Sequence, residues 1–295
     1  MTDNRRFAAA KVNLALHVTG RAGNGYHMLD SLVCFADVGD VVSVAPAADL
    51  ELNLCGPMAG LLPSGADNLV LKAARLLAPA PGEGARITLD KRLPVAAGIG
   101  GGSADAAACL SLLAGLWHRP LPSPATLMRL GADLPVCIEG RAVRMEGMGE
   151  TLTALPDMPD FFAVLVNPGA GLSTAQVFRA LIAHANTPLA PLPQGSDPAR
   201  WTEFLSRSRN DLEAPAIRLM PEIADVLRAL RAGKGCVLAR MSGSGATCFG
   251  LYDSAEDANG AAHTLGQQHP RWWVRATRLG SAPERVEPDA GMGDG

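Results

Sequence analysis

Leu93-Pro94-Val95-Ala96-Ala97-Gly98-Ile99-Gly100-Gly101-Gly102-Ser103-Ala104-Asp105-Ala106-Ala107-Ala108-Cys109-Leu110 is the stretch on which the reading of this chain turns. Four glycines in five positions run straight into an alanine-rich segment of high helix propensity. Glycine lets a backbone approach a ligand closely, and a helix start carries unpaired N–H groups and the positive end of a dipole. The combination is a candidate cradle for a phosphate or another anion. No Lys-Ser or Lys-Thr pair follows the glycines, so this is not a P-loop. Ser103 stands where the third glycine of a dinucleotide fingerprint belongs. A tight turn that only packs a helix on a sheet is the other reading of the same residues.

Upstream, residues 85–91 alternate as a strand, with Ile87 and Leu89 on one face. The order strand, glycine turn, helix is the context an anion cradle requires, and the helix is expected to run to Leu113 or Leu116. Asn68 is a good N-cap for a helix over 69–77, and Ser123 followed by Pro124 opens another that Gly131 stops. Asp133 then falls in the loop after that helix. Pro135 predicts an extended Leu134 and a strand over 136–138. Such an aspartate suits catalysis, and equally suits a turn in which it bonds its own backbone.

Residues 7–18 read as a strand with two characters: Val12, Leu14, Leu16 and Val18 on one face, Lys11, Asn13, Ala15 and His17 on the other. The second face is either solvated or the wall of a cleft. A glycine-rich turn leads to Tyr26 and His27, which could stack on and bond a ring or could cover a sheet edge. Separate strands are expected over 29–35 and 38–44, a short one over 50–54, and a hairpin over 142–155. A boundary is expected at 156–159. Beyond it come a strand over 161–166, helices over 173–185 and 198–206, and a helical region capped by Asn210 and Asp211 that continues past Pro221 to about Leu230. Strands over 236–240 and 246–252 flank Ser242-Gly243-Ser244-Gly245, which either packs closely against a ligand or, the reading favoured on its own, is an ordinary hairpin connection. A helix over 255–267 and a strand over 272–278 finish the fold, and the acidic, glycine-rich residues 284–295 are expected to be disordered.

The bulk numbers agree with a globular enzyme. At 295 residues two domains are the better expectation, 48% apolar residues are ample for packed cores, and a net charge of −3 gives no reason to expect nucleic acid or an anionic membrane as partner. No apolar run reaches membrane-spanning length and no leader pattern opens the chain, which points to the cytoplasm. The six cysteines form no C-x-x-C pair and are expected as buried free thiols, and the six histidines show no metal-ligand spacing. Only Lys11, Lys72, Lys91 and Lys234 are lysines, so each is worth locating.

Taken together, Ala10-Lys11-Val12-Asn13-Leu14, Gly25-Tyr26-His27, the glycine stretch, Gly131-Ala132-Asp133-Leu134-Pro135, Asn210-Asp211 and the late Gly243-Ser244-Gly245 resemble the GHMP small-molecule kinases over nearly the whole chain. The Lys11-x-Asn13 pair with Gly25-Tyr26-His27 is similar to the branch that acts on a CDP-linked methylerythritol. The resemblance implies an α+β fold of two domains: a ribosomal-protein-S5-like ATP-binding half over 1–158 and a ferredoxin-like substrate-side half over 159–283. It implies ATP bound by Pro94, Val95, Ala96, Ala97, Gly98, Ile99, Gly100, Gly101, Gly102, Ser103 and Ala104, with Mg2+ accompanying it through ligands the motifs do not name. Lys11 and Asp133 are the implied catalytic pair, and Asn13, Tyr26, His27 and Phe178 the implied substrate-binding residues. Two departures stand out. Ala96 replaces a frequent glycine and is safe only with a negative φ, and Ala104 replaces a frequent serine, leaving Ser103 as the hydroxyl.

Overall fold

Two long strands, β1 (Arg5–Arg21) and β2 (His27–Ala47), pair antiparallel and form the spine of the molecule. The second expected pair of strands is therefore one strand. Ala9 faces Gly39 and Lys11 faces Phe35, so residues 36–38 form a bulge where the sequence suggested a break. The free edge of β2 is shared by three partners. In its first part it pairs with β5 (Val143–Gly147), at the bulge with the end of β10 (Trp273–Gly280), and in its last part with β4 (Gly84–Asp90). β3 (Leu50–Cys55) adds to β4 in parallel, and β6 (Thr151–Ala154) closes the expected hairpin on β5.

In this computed structural model, which describes residues 4–23, 25–62, 65, 67–77 and 82–283, the second half forms the other wing of the same sheet. β7 (Phe161–Asn167) lies between β10 and β9 (Cys248–Tyr252), with β8 (Cys236–Met241) outermost. The spatial order β10-β7-β9-β8, with helices between β7 and β8 and between β9 and β10, is the expected ferredoxin-like arrangement. The expected tail over 284–295 lies outside the described residues.

The expected N-terminal helices are present. α1 (Leu69–Leu76) starts at Asn68, whose side chain accepts from the Val70 N–H, and α2 (Gly101–Leu116) follows the glycine loop. α2 is apolar nearly all round and is buried from Ala104 to Leu110, packed on β1 and β2. α3 (Pro124–Leu130) starts at Ser123.

The expected strand over 136–138 is instead α4 (Leu134–Glu139), with Asp133 in the position before its first turn. Pro135 lies in that first turn, where a missing N–H costs nothing, and the preference of a pre-proline residue for extended backbone yields to the helix. In the second half α5 (Thr174–Arg179) stops well short of the expected end at 185, and α6 (Pro198–Arg207) is as expected. Pro221 divides the expected long helix into α7 (Glu213–Leu219) and α8 (Glu222–Arg231). Asn210 does not cap either; its Oδ1 accepts from the Leu212 N–H ahead of α7. α9 (Ala255–Gln268) covers β10 and β7.

One hydrophobic core joins the halves, with Val12, Leu14 and Leu32 against Leu165, Phe249 and Leu251, while separate cores lie under α1 and α2 and under α8 and α9. Both faces of β1 are therefore buried, including Lys11, Asn13 and His17. All six cysteines are free; Cys34, Cys109 and Cys248 are buried, whereas Cys55, against expectation, is exposed.

Candidate active site

The glycine loop sits at the mouth of a cleft of about 490 Å³ lined from both halves. Three of its residues have positive φ: Ala96 at 52°, Gly98 at 73° and Gly100 at 62°. Ala96 thus adopts, against expectation, the left-handed conformation that is strained for an alanine. Its neighbours impose it: the Ala96 carbonyl accepts from Leu172 N–H at 3.0 Å, and Gly171 leaves room for its methyl group. The next carbonyls are pinned as well. Ala97 O accepts from Thr247 N–H at 3.0 Å, Gly98 O from the Ser242 hydroxyl at 3.1 Å, and Ile99 O from Lys11 N–H at 2.9 Å. With its oxygens engaged elsewhere, the loop delivers Gly101, Gly102 and Ser103, the first turn of α2, to the cleft wall. That turn carries the orphan N–H groups of any helix start, which suit an anion.

The late glycine-serine turn is more than a hairpin connection. A Cβ on Gly98 would lie 2.6 Å from both Gly245 N and Ser242 O, so the two glycine turns touch backbone to backbone. Asn210 latches the second turn, its Nδ2 donating to Met241 O and Gly243 O, both at 2.8 Å.

Lys11 passes directly beneath the loop, where a Cβ on Gly100 would sit 3.0 Å from its own Cβ. Its buried ammonium lies 3.0 Å from Asp133 Oδ2 and donates to Asn13 Oδ1 at 2.9 Å. Asn13 in turn donates to the Ser31 hydroxyl at 2.8 Å, which donates to Ala15 O. The residues on that polar face of β1 are thus neither solvated nor idle. Asp133 is one-third exposed and makes no capping bond to α4, so its carboxylate faces Lys11 and the cleft.

Of the implied nucleotide residues, Pro94, Val95, Ala96, Ala97, Gly98, Gly100, Gly101, Gly102 and Ser103 line the cleft. Ile99 and Ala104 do not. Both are core residues, and Ala104 faces a different hollow, beside Phe7 and Cys137, so a hydroxyl at 104 would point away from the cleft. On the acceptor side His27 stacks on Phe178 with ring centroids 4.8 Å apart, and Phe178 lines the cleft. Tyr26 is 67% exposed beside them. His184, unmarked in the sequence reading, completes the cluster, its Nδ1 lying 3.1 Å from His27 Nε2. Burial, then the charge of Arg21 and the neighbouring His184, push the His27 pKa down.

Two family models match the chain, the N-terminal domain of the GHMP kinases over residues 68–143 and their C-terminal domain over 192–271. The 4-diphosphocytidyl-2-C-methyl-D-erythritol kinase of Cereibacter sphaeroides strain ATCC 17029 is 57% identical over 275 residues, spanning 92% of this chain and 98% of that relative. The chain belongs to the GHMP kinases, in this kinase's family. The enzyme of the same name from Paracoccus denitrificans is 55% identical over 94% of this chain and 97% of its own length. A crystal structure of 4-(cytidine 5'-diphospho)-2C-methyl-D-erythritol kinase superposes with a TM-score of 0.75 at 37% identity, covering 94% of this chain and all of that one. Membership of the GHMP kinases implies ATP as phosphoryl donor, and among the described residues no helix is long and apolar enough to cross a membrane.

Proposed function

We propose that this chain transfers the γ-phosphoryl group of ATP to the C2 hydroxyl of 4-diphosphocytidyl-2-C-methyl-D-erythritol, a cytoplasmic step in isoprenoid precursor synthesis. One observation carries the reading: the Lys11–Asp133 pair, 3.0 Å apart, lies between the glycine loop and the cleft wall that bears Phe178. The names and identities of the relatives support the substrate. Residues 1–158 supply the nucleotide loop, both catalytic groups and Tyr26 and His27, and residues 159–283 add Phe178 and His184 on the acceptor side.

In this mechanism the triphosphate rests on the N–H groups at the start of α2. The acceptor hydroxyl sits between the γ-phosphorus and Asp133. As its oxygen bonds to phosphorus, the bond from phosphorus to the β,γ-bridging oxygen breaks, ADP leaves, and the hydroxyl proton passes to Asp133. An aspartate is a weak base toward an alcohol, so the proton moves late and orientation is much of what Asp133 contributes. Lys11 sets that orientation and offsets the negative charge on the transferring group, while Asn13 fixes the ammonium by accepting from it. His27 and Phe178 present a ring face and a hydrogen-bonding edge to a cytosine, with Tyr26 placed to cover it.

The residues fit a magnesium ion brought in on the nucleotide. The Ser103 hydroxyl is the cleft-lining donor that would hold it beside phosphate oxygens and water, and it would supply charge neutralisation on the phosphates.

The test is ATP consumption with the CDP-linked alcohol, with homoserine and mevalonate as rival acceptors. Wild type is expected to consume ATP only with the first, and Lys11→Ala or Asp133→Asn to lower kcat by about 10²–10⁴-fold. Turnover of Asp133→Asn at the wild-type rate would sink the mechanism.

A further inference from the structure

Lys91 sits where β4 ends and the glycine loop begins, and it is 1% exposed. Its ammonium lies between two buried carboxylates, 2.5 Å from Asp40 Oδ2 and 2.7 Å from Asp105 Oδ2. Those partners belong to different ends of the loop. Asp40, on β2, also accepts through Oδ1 from Arg92 N–H at 2.6 Å and Leu93 N–H at 2.8 Å, the residues that lead in. Asp105 lies on α2, the helix that leads out, one turn beyond Gly101 and on the same face. A Cβ on Gly101 would come 3.1 Å from Lys91 Nζ, so the ammonium reaches under the first residue of the helix.

We propose that Lys91 is a positioning residue for the nucleotide loop, clamping its incoming strand to its outgoing helix through Asp40 and Asp105 and thereby setting the affinity for ATP. The proposal rests on the reading of the loop as the ATP side of the site. Two features favour positioning over plain stability. The loop carries one non-glycine residue, Ala96, at positive φ, a strained conformation that persists only where the surrounding structure over-determines the backbone, and the Lys91 ion pairs hold the segments on either side of it. The trio is also poorly built as a stabilising element, because two carboxylates share one ammonium and Asp105 Oδ1 has no hydrogen-bond partner among the described residues. Burial pushes the Asp105 carboxyl up against the pull of Lys91, the mark of a carboxylate whose desolvation is not fully offset, whereas for Lys91 the lowering by burial is outweighed by the two carboxylates. Apolar side chains of the same volume would commonly be as stable or more so, but could not tie two backbone segments to one point.

The test compares wild type with Lys91→Met and Asp105→Asn in steady-state kinetics, and measures binding of the non-hydrolysable analogue AMP-PNP by calorimetry. For Lys91→Met the KM for ATP and the Kd for AMP-PNP are expected to rise about tenfold, with the KM for the CDP-linked alcohol unchanged. Amide hydrogen exchange over residues 94–104 is expected to quicken while β9 is unaffected. Asp105→Asn keeps the shape of the side chain, is expected to weaken AMP-PNP binding in the same direction, and decides the matter if Lys91→Met does not fold. AMP-PNP binding at wild-type strength in folded variants, or equal increases in KM for both substrates, overturns the proposal. A wild type that binds AMP-PNP but does not phosphorylate the alcohol overturns the functional reading instead, and the binding comparison then stands alone.

Discussion

Lys11 serves two acceptors at once, and each restricts the other: Asn13 holds the ammonium at 2.9 Å on one side while Asp133 meets it at 3.0 Å on the other. A lysine alone is a mobile point charge on a long stem; here it is fixed by the loop above it and an amide beside it. The neighbouring loop carries a different constraint. Ala96 at a φ of 52° is in a region that costs an L-residue about 1–2 kcal/mol, against about 0.5–1 kcal/mol of extra backbone entropy that a glycine would lose on folding. Ala96→Gly is therefore expected to stabilise the fold slightly, by about 0.5 kcal/mol, read as a higher urea midpoint with an unchanged slope. A lower midpoint would mean that the methyl group's packing against Gly171 outweighs the strain.

His17 joins β1 to two loops from the other half. Its Nδ1 is 3.0 Å from Thr187 O, which can only accept, and its Nε2 is 3.2 Å from Arg209 N, which can only donate. The ring is therefore neutral with its proton on Nδ1, and burial followed by the Arg209 charge pushes its pKa down. A histidine whose folded pKa lies below its unfolded value binds more protons when unfolded, so stability rises with pH through that window. Tm is expected to fall as pH drops from about 7.5 through the unfolded value near 6.5 and below. His17→Gln should lower Tm at the upper end and flatten the slope, leaving the part that His27 supplies; an unchanged slope would exclude this account. Much of this site was legible beforehand because its parts are local in sequence: a polar face on an apolar strand, a glycine turn before a helix, an aspartate after a helix stop. The misreadings have physical causes. Pro135 fits a helix's first turn as well as it blocks a helix interior, so the pattern around α4 reads equally as a strand. The bulge at 36–38 looked like a strand end. The Asp40, Lys91 and Asp105 trio draws on β2, the end of β4 and α2, and no spacing rule connects those three. His184 lies past the end of α5 in a segment without periodicity, and only the ring packing shows its place.

Arg240 ties the two wings together. From β8 its buried guanidinium donates to Leu14 O on β1 at 2.7 Å, and to Leu205 O and Ser208 O at the end of α6 at 2.8 and 2.7 Å. Burial pushes its pKa down to about 10, so the charge persists at neutral pH on carbonyl dipoles. Arg240→Met removes the donors and strands three acceptors, a loss of about 3 kcal/mol or more, expected as a clear fall in urea midpoint. If the wings fold as one unit through this core, fluorescence and far-UV dichroism should lose signal together; separated transitions would show that they do not.

The position of β10 also has a consequence for synthesis. β7 is flanked by β9 and β10, and its contact to β10 runs from Phe161 to Asn167 along the last described strand of the chain. Both partners of an almost fully buried strand are made after Asn167: β9 from Cys248, and β10, the later, from Trp273. At about 5–20 residues per second the interval from Asn167 to Trp273 is on the order of 10 s, long enough for an unpaired apolar edge to meet a chaperone or a neighbouring nascent chain. The second wing therefore cannot complete its sheet until the last described strand has been made.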